Sequence, residues 1–143
     1  MYLGVGNKTS VTTLFNVYYS FRYDDNPSGQ TEYTASPDDD VFKKLALTYA
    51  FAHPTMHLDN PPWECKSVPP DHFVNGVTNG ANWYNVAGGM QDYNYVHSDC
   101  LEITLELGCN KFPKRDDLPR YWEENKHALV KFIEQVRKAL LKE

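Results

Sequence analysis

The chain has 143 residues, enough for one domain with a real hydrophobic core. A net charge of −5 gives no reason to expect a nucleic-acid partner or an anionic membrane surface. Ten Tyr, seven Phe and three Trp favour a β-containing domain with an aromatic-lined cleft over a disordered chain. No apolar run predicts a transmembrane helix, and the first residues lack the blocks of a secretory signal, so an export signal would have to lie upstream.

The first half of the chain predicts a strand, a loop and a helix. Residues 11–23 are rich in Thr, Val, Phe and Tyr, which is typical of a strand, and residues 24–36 carry the Asn-Pro and Ser-Gly pairs of a loop. A helix is then expected, with Ser36 as its cap, Pro37 in its first turn and Pro54 as its end. Its apolar positions recur at helical spacing: Phe42, Leu45, Ala46 and Tyr49.

The second half predicts a loop, a strand and a helix. Residues 56–80 are loop-like, with several Pro and Gly. From Cys100 to Cys109 apolar and polar residues alternate strictly, which indicates a strand whose polar face carries Glu102 and Glu106. A last helix begins near Leu118, with one apolar stripe formed by Trp122, Leu129, Ile133, Val136 and Leu140. This order of elements predicts an α/β layered fold without repeats or linkers.

Four segments of the sequence form long and specific motifs: SPDDDVFKKLALTYAFAHPTM, TNGANWYNVAGGMQDYNYVHSDC, EITLELGCNKFP and LPRYWEENKHALVKFIEQV. They resemble the second half of a zinc metallocarboxypeptidase catalytic domain, above all that of the regulatory subfamily of carboxypeptidases D, E, M and N. The resemblance implies part of an α/β/α sandwich around a mixed sheet. It divides the chain into residues 23–143, the C-terminal half of the catalytic domain, and residues 1–22, a divergent N-terminal segment.

The resemblance also implies an activity, the removal of C-terminal Lys or Arg from peptides, in the secretory pathway or outside the cell. In such enzymes two His and one Glu hold zinc, and a Glu at a strand end acts as general base on the zinc-bound water. Glu106 matches that base. From the residues alone, a solvated or Arg-paired strand carboxylate is the favoured interpretation of Glu106, and only the resemblance makes it the expected base. Glu102 matches no catalytic position and is expected to be scaffold.

Three further residues match the family's substrate site. Tyr84 matches a mobile tyrosine that closes over substrate, Gln91 the base of the specificity pocket, and Asp24 the acidic partner of a Lys or Arg side chain. A carboxylate helped by an amide oxygen suits a cation. The simpler alternatives are a packed Tyr for Tyr84 and surface polar groups for Gln91 and Asp24.

The three cysteines allow one disulfide and one free thiol. The resemblance pairs Cys65 with Cys109, which would tie the Pro-rich loop to the end of the strand. Cys100 would then be the free thiol, and we expect it to be buried on the strand.

The sequence departs from the family where zinc would bind. None of the five histidines starts a His-x-x-Glu motif, and the position of the third ligand falls on Thr13. A catalytic zinc needs three protein ligands. We therefore expect this chain alone to lack catalytic zinc and hydrolytic activity; the alternatives are a binding module that keeps the pocket for a basic C-terminus, or a truncated product.

Overall fold

The computed structural model describes residues 16–19, 31–59, 73–108 and 112–140, without the side chains of 16–19 and 136–140. Within these ranges three strands and four helices follow one another along the chain. They are β1 (Asn16–Tyr19), α1 (Asp39–Ala52), β2 (Val77–Asn79), α2 (Gly80–Trp83), α3 (Met90–Ser98), β3 (Thr104–Glu106) and α4 (Leu118–Leu140). Two short 3₁₀ turns, Val74–Gly76 and Arg115–Asp117, precede β2 and α4.

The three strands form one mixed sheet in the order β2-β1-β3. β1 runs parallel to β2, with Val17 opposite Val77, and antiparallel to β3, with Val17 also opposite Leu105. Parallel neighbours need a crossover connection, and α1 lies in the chain between β1 and β2. The predicted mixture of helices and strands is thus confirmed within the described ranges. The strand predicted for residues 11–23 is confirmed over Asn16–Tyr19.

Helix α1 forms where the pattern predicts it, but it begins later than expected. Ser36 does not cap the helix with its side chain; instead its carbonyl accepts a hydrogen bond from the Asp39 amide at 3.1 Å, and the helix begins at Asp39. Asp39 and Asp40 fill the first turn, where the helix dipole favours negative charge. The helix ends at Ala52, two residues before Pro54, as the proline requires.

The core lies between α1, α4 and one face of the sheet. Its buried members come from these elements and from the segments next to α1 and β3: Phe42, Ala46, Tyr49, Ala50, Met56, Ile103, Leu105 and Ala128. In its centre the Tyr49 hydroxyl donates to Asn125 Oδ1 at 2.6 Å, and Asn125 Nδ2 donates to the Tyr121 carbonyl at 2.8 Å. Burial raises the pKa of Tyr49 well above its usual range, so the hydroxyl stays a donor.

The loop prediction for residues 56–80 was wrong in part, and the segment after it forms helices that the sequence analysis did not predict. Within the region predicted as loop at residues 56–80, the described part from residue 73 contains a 3₁₀ turn and β2. The Asn- and Gly-rich stretch that follows forms α2 and α3. Both helices are short, four and nine residues, so neither carries enough turns to give a helical periodicity.

The strand predicted for residues 100–109 is shorter than its alternating pattern, since β3 covers only Thr104–Glu106. Ile103 and Leu105 are buried as the pattern requires, whereas Leu101 is exposed. Cys100 lies between α3 and β3 and is exposed, so the expectation of a thiol buried on the strand was wrong. Asp99 adopts a left-handed backbone that ends α3, and the chain becomes a strand only several residues later.

Helix α4 forms from Leu118 as predicted, but only part of the predicted stripe faces the core. Asn125 and Ala128 are buried, and Tyr121, Phe132 and the predicted Leu129 pack against the core, while Trp122 and Ile133 are exposed. The side chains of Val136 and Leu140 lie outside the described residues. The small Ala128 and the hydrogen-bonded Asn125 allow close approach to α1. No helix in the described ranges is long and apolar enough to cross a membrane.

We expect Tyr49→Phe to destabilise the protein by about 1–3 kcal/mol, because it leaves the buried Asn125 oxygen without its donor. Urea denaturation followed by circular dichroism measures the effect. Tyr93→Phe is the matched control, since Tyr93 is exposed, and its effect should be close to zero. Equal stabilities of the two variants would contradict a structural role for the Tyr49–Asn125 bond.

Candidate functional site

The polar face of β3 carries the candidate catalytic residue. Because side chains alternate along a strand, Ile103 and Leu105 enter the core while Thr104 and Glu106 point to the opposite face. Thr104 and Glu106 are both half-buried. Glu102 lies before the strand begins and lines a small cavity with Tyr49 and Phe132.

Gln91 is held against this face of β3. It lies in the first turn of α3, is buried, and accepts a hydrogen bond through Oε1 from the Thr104 hydroxyl at 2.7 Å. Thr104 and Glu106 are separated by one residue on the same side of the strand. The fold therefore brings Gln91 and Glu106, two of the residues singled out from the sequence, to one face of the sheet.

Tyr84 ends α2 in an extended backbone conformation and is half-buried. Its ring lies edge-on to Trp83 with centroids 4.2 Å apart, and Trp83 in turn contacts Phe73. Gly88 follows in the connection to α3 with a φ of 71°, a left-handed angle that favours glycine. Tyr84 thus sits beside a glycine-containing turn that leads directly to Gln91.

Asn79 positions this region, and the sequence analysis did not single it out. Its Oδ1 accepts from the Asn82 amide at 3.1 Å, which caps α2, and also from the Thr34 amide at 3.3 Å. Its Nδ2 donates to the Thr34 carbonyl at 2.8 Å. A side-chain amide thereby pairs with the backbone of a segment 45 residues away. An Asn directly before a short Gly-Ala-Asn-Trp helix was the one available sequence sign, that of a cap.

His53 and His57 follow α1 and form hydrogen bonds with backbone groups at the end of that helix. His53 is fully buried, and its Nδ1 accepts from the amides of Thr55 and Met56 at 3.2 and 3.1 Å. His57 donates from Nδ1 to the carbonyls of Ala50 and His53, at 3.2 Å each. Burial, together with the nearby His57, lowers the pKa of His53 from 6.5 to about 4.

These side chains do not fit a zinc site. A catalytic zinc needs three nitrogen, oxygen or sulfur ligands directed at one point. In the described ranges no three His, Cys, Asp or Glu side chains are grouped in that way. His53 uses a ring nitrogen to accept backbone amides and His57 uses one to donate to carbonyls, so both serve the helix end. Asp24, Cys65 and Cys109 lie outside the described residues and stay predictions.

Comparison with known proteins identifies a family relationship over most of the chain. The pattern of the family described as zinc carboxypeptidase matches residues 8–128. Carboxypeptidase D of Anas platyrhynchos is 47% identical over 122 residues, which cover 85% of this chain and 9% of that protein. The carboxypeptidase N catalytic chain of Rattus norvegicus is 47% identical over 111 residues, 78% of this chain and 23% of that protein. Carboxypeptidase D of Drosophila melanogaster is 54% identical over 99 residues, 69% of this chain and 7% of that protein. The chain thus spans less than a tenth of these carboxypeptidase D proteins and under a quarter of the N chain.

We expect stability to fall as the pH is lowered through the range between the two pKa values of His53. The unfolded state takes up a proton near pH 6.5 and the folded state only near pH 4, so protons favour unfolding in between. At pH 5 this single group should cost about 1–2 kcal/mol relative to pH 7. Urea denaturation at both pH values measures the loss.

The His53→Asn variant tests whether the pH dependence of stability comes from His53 and not from another titrating group. An Asn oxygen can accept the same two amides without titrating, so the variant should lose less stability between pH 7 and 5 than the wild type. His97→Gln, at an exposed position, is the control and should behave like the wild type. An identical pH dependence in all three proteins would refute the assignment to His53.

Proposed function

The chain belongs to the zinc carboxypeptidase family, and from this relationship we propose that it forms the substrate-binding part of a peptidase site for C-terminal Lys or Arg. Glu106 is the proposed general base, Gln91 the base of the specificity pocket and Tyr84 the residue that closes over substrate. Residues 23–143 then form the C-terminal half of an α/β/α catalytic domain, after a divergent segment at residues 1–22.

One observation carries the proposal: the hydrogen bond from Thr104 to Gln91, on the strand face that also carries Glu106. It supports a site because a general base must lie within reach of a bound substrate, and the specificity pocket decides where that substrate is held. The half-burial of Glu106 is compatible with a carboxylate that borders a cleft.

The preference for Lys or Arg rests on charge. Asp24 would supply a carboxylate and Gln91 an amide oxygen, and a guanidinium or ammonium group binds both more strongly than a neutral side chain does. The carboxylate contributes most, because hydrogen bonds between charged partners are about twice as strong as neutral ones.

The chain by itself is proposed to bind such C-termini without cutting them. Among the residues that the structure describes, no three His, Cys, Asp or Glu side chains are grouped so that they could hold the family's zinc. The sequence also has no His-x-x-Glu motif. The same observation favours a second function, that of a peptide-binding module without catalysis. A location in the secretory pathway or outside the cell, together with a Cys65–Cys109 disulfide, completes the proposal.

We expect a peptide ending in Arg to bind at least about tenfold more tightly than the same peptide ending in Ala, a difference of about 1.4 kcal/mol. Isothermal titration calorimetry measures both affinities. Asp24→Asn and Gln91→Ala should each remove most of the difference. Gln135→Ala alters a glutamine on α4, whose side chain donates to the Lys131 carbonyl, and serves as the matched control. Equal affinity for the two peptides would refute the pocket.

We expect no release of Arg from the peptide, with or without added zinc, and Glu106→Gln should leave peptide affinity within about twofold. The reason is that Glu106 is assigned a proton-transfer role, which contributes little to ground-state binding. Chromatography of the incubated peptide measures hydrolysis. Arg release that requires zinc and stops in Glu106→Gln would confirm the base and contradict the proposed inactivity of the isolated chain.

A further inference from the structure

The backbone between Tyr84 and Gln91 does not by itself fix the position of one side chain relative to the other. It passes through Gly88 and Gly89, and Gly88 has a φ of 71°, in the region that favours glycine. Ala87 and Gly88 are both exposed. A permissive and exposed connection of this kind allows α2 and α3 to move independently unless other contacts join the two helices.

Such contacts involve residues 33–38, which lie before α1 and which we call the bridge segment. The Asn79 side chain pairs with both backbone groups of Thr34 in this segment: it accepts from the Thr34 amide at 3.3 Å and donates to the Thr34 carbonyl at 2.8 Å. The same side chain is buried and caps α2 through the Asn82 amide. Since one planar amide makes all three hydrogen bonds, α2 cannot shift against Thr34 without breaking at least one of them.

The other end of the bridge segment is attached to α3. The Tyr95 hydroxyl donates to Asp38 Oδ2 at 2.7 Å, and the Tyr95 ring lies edge-on to Phe42 of α1 with centroids 5.2 Å apart. Tyr95 follows Gln91 by one helical turn, so the two residues share a face of α3. Between the two attachments Ser36 is buried. The bridge segment therefore connects α2, which leads into Tyr84, with α3, which carries Gln91.

The hydrogen bonds of Asn79 go beyond those of a helix cap. Ser and Asp cap helices as well as Asn does, because a side-chain oxygen is all that the helix amide requires. Asn differs from both in that the same group also donates from nitrogen. The donated bond to the Thr34 carbonyl, at 2.8 Å, is the shortest of the three that Asn79 makes. The residue type at position 79 thus matches the connection to the bridge segment more closely than the cap alone.

We propose that Asn79 and Tyr95 are positioning residues of the peptide site, which hold Tyr84 and Gln91 in a fixed relative arrangement through the bridge segment. This inference rests on the proposed function of Tyr84 and Gln91, and it assigns no peptide contact to Asn79 or Tyr95. Two binding groups that are already in place before the peptide arrives lose less conformational freedom when it binds. Loss of either attachment therefore weakens binding without removing a group that touches the peptide.

Isothermal titration calorimetry with a peptide ending in Arg tests both attachments. Asn79→Ser keeps an oxygen that can cap α2 but loses the pairing with Thr34, and Tyr95→Phe keeps the ring but loses the bond to Asp38. We expect each variant to weaken binding by about three- to tenfold. Tyr33→Phe is the matched control: it also removes a bond from a Tyr hydroxyl to a carboxylate, but this bond, of 2.6 Å to Asp39 Oδ2, runs to α1. Its affinity should equal that of the wild type.

A double-mutant cycle separates positioning from a general loosening of the fold. If Asn79 acts through Tyr84, Asn79→Ser should weaken binding much less in a Tyr84→Ala background than in the wild type. Equal factors in the two backgrounds would refute the positioning role of Asn79. Circular dichroism checks that the variants are folded. The Tyr95–Asp38 bond is exposed, so Tyr95→Phe stays folded and tests the bridge segment even where Asn79→Ser does not fold.

Amide hydrogen exchange followed by NMR examines the bridge segment without a peptide. The Asn82 and Tyr84 amides are hydrogen-bonded within α2 and its cap. Tyr95→Phe should speed their exchange several-fold although Tyr95 lies on α3, whereas Tyr33→Phe should not.

The outcomes distinguish the bridge segment from the proposed function. Unchanged affinity and unchanged exchange in both Asn79→Ser and Tyr95→Phe, in a chain that still prefers the Arg-ended peptide, would refute the bridge segment alone. A wild-type chain that binds Arg-ended and Ala-ended peptides equally would refute the proposed function and the positioning role with it, whatever the exchange rates.

Discussion

The hydrogen bond between Tyr49 and Asn125 is the constraint on which the arrangement of helices and strands depends. Both groups are buried, so each would lose a strong interaction with water if the other were displaced. The bond holds α4 at a fixed position on α1. Asn125 also binds the Tyr121 carbonyl, and the Tyr121 ring lies so close to Gly108 that a Cβ there would come within 2.7 Å of its hydroxyl oxygen. The core is thereby connected to the end of the segment that carries Glu106.

The register of β3 places the candidate site residues on the face of the sheet that lies opposite the core. Ile103 and Leu105 fill the core, so the alternation of the strand places Thr104 and Glu106 on the other face. A shift by one residue would bury Glu106 among apolar side chains and expose Leu105, at a large cost in free energy. Thr104 then holds Gln91, so the core and the proposed peptide site share one strand with opposite faces.

Helix α4 packs closely on α1 for a related reason. Its core face uses the small Ala128 and the hydrogen-bonded Asn125, which allow close packing on α1. Larger side chains such as Trp122 and Ile133 lie on the exposed side of the helix.

The amino-acid pattern by itself determined the existence of α1 and α4, the inward direction of Ile103 and Leu105, and the family to which the chain belongs. Periodicity and turn residues are local properties, so they identify long elements and long motifs well. Only the tertiary structure decided which stripe of α4 is buried, that Cys100 is exposed, and that Asn79 binds the backbone at Thr34. These outcomes depend on contacts between residues 45 or 76 positions apart, such as Asn79 with Thr34 and Tyr49 with Asn125. No local pattern encodes such distances, because they arise from the path of the whole chain around one shared core.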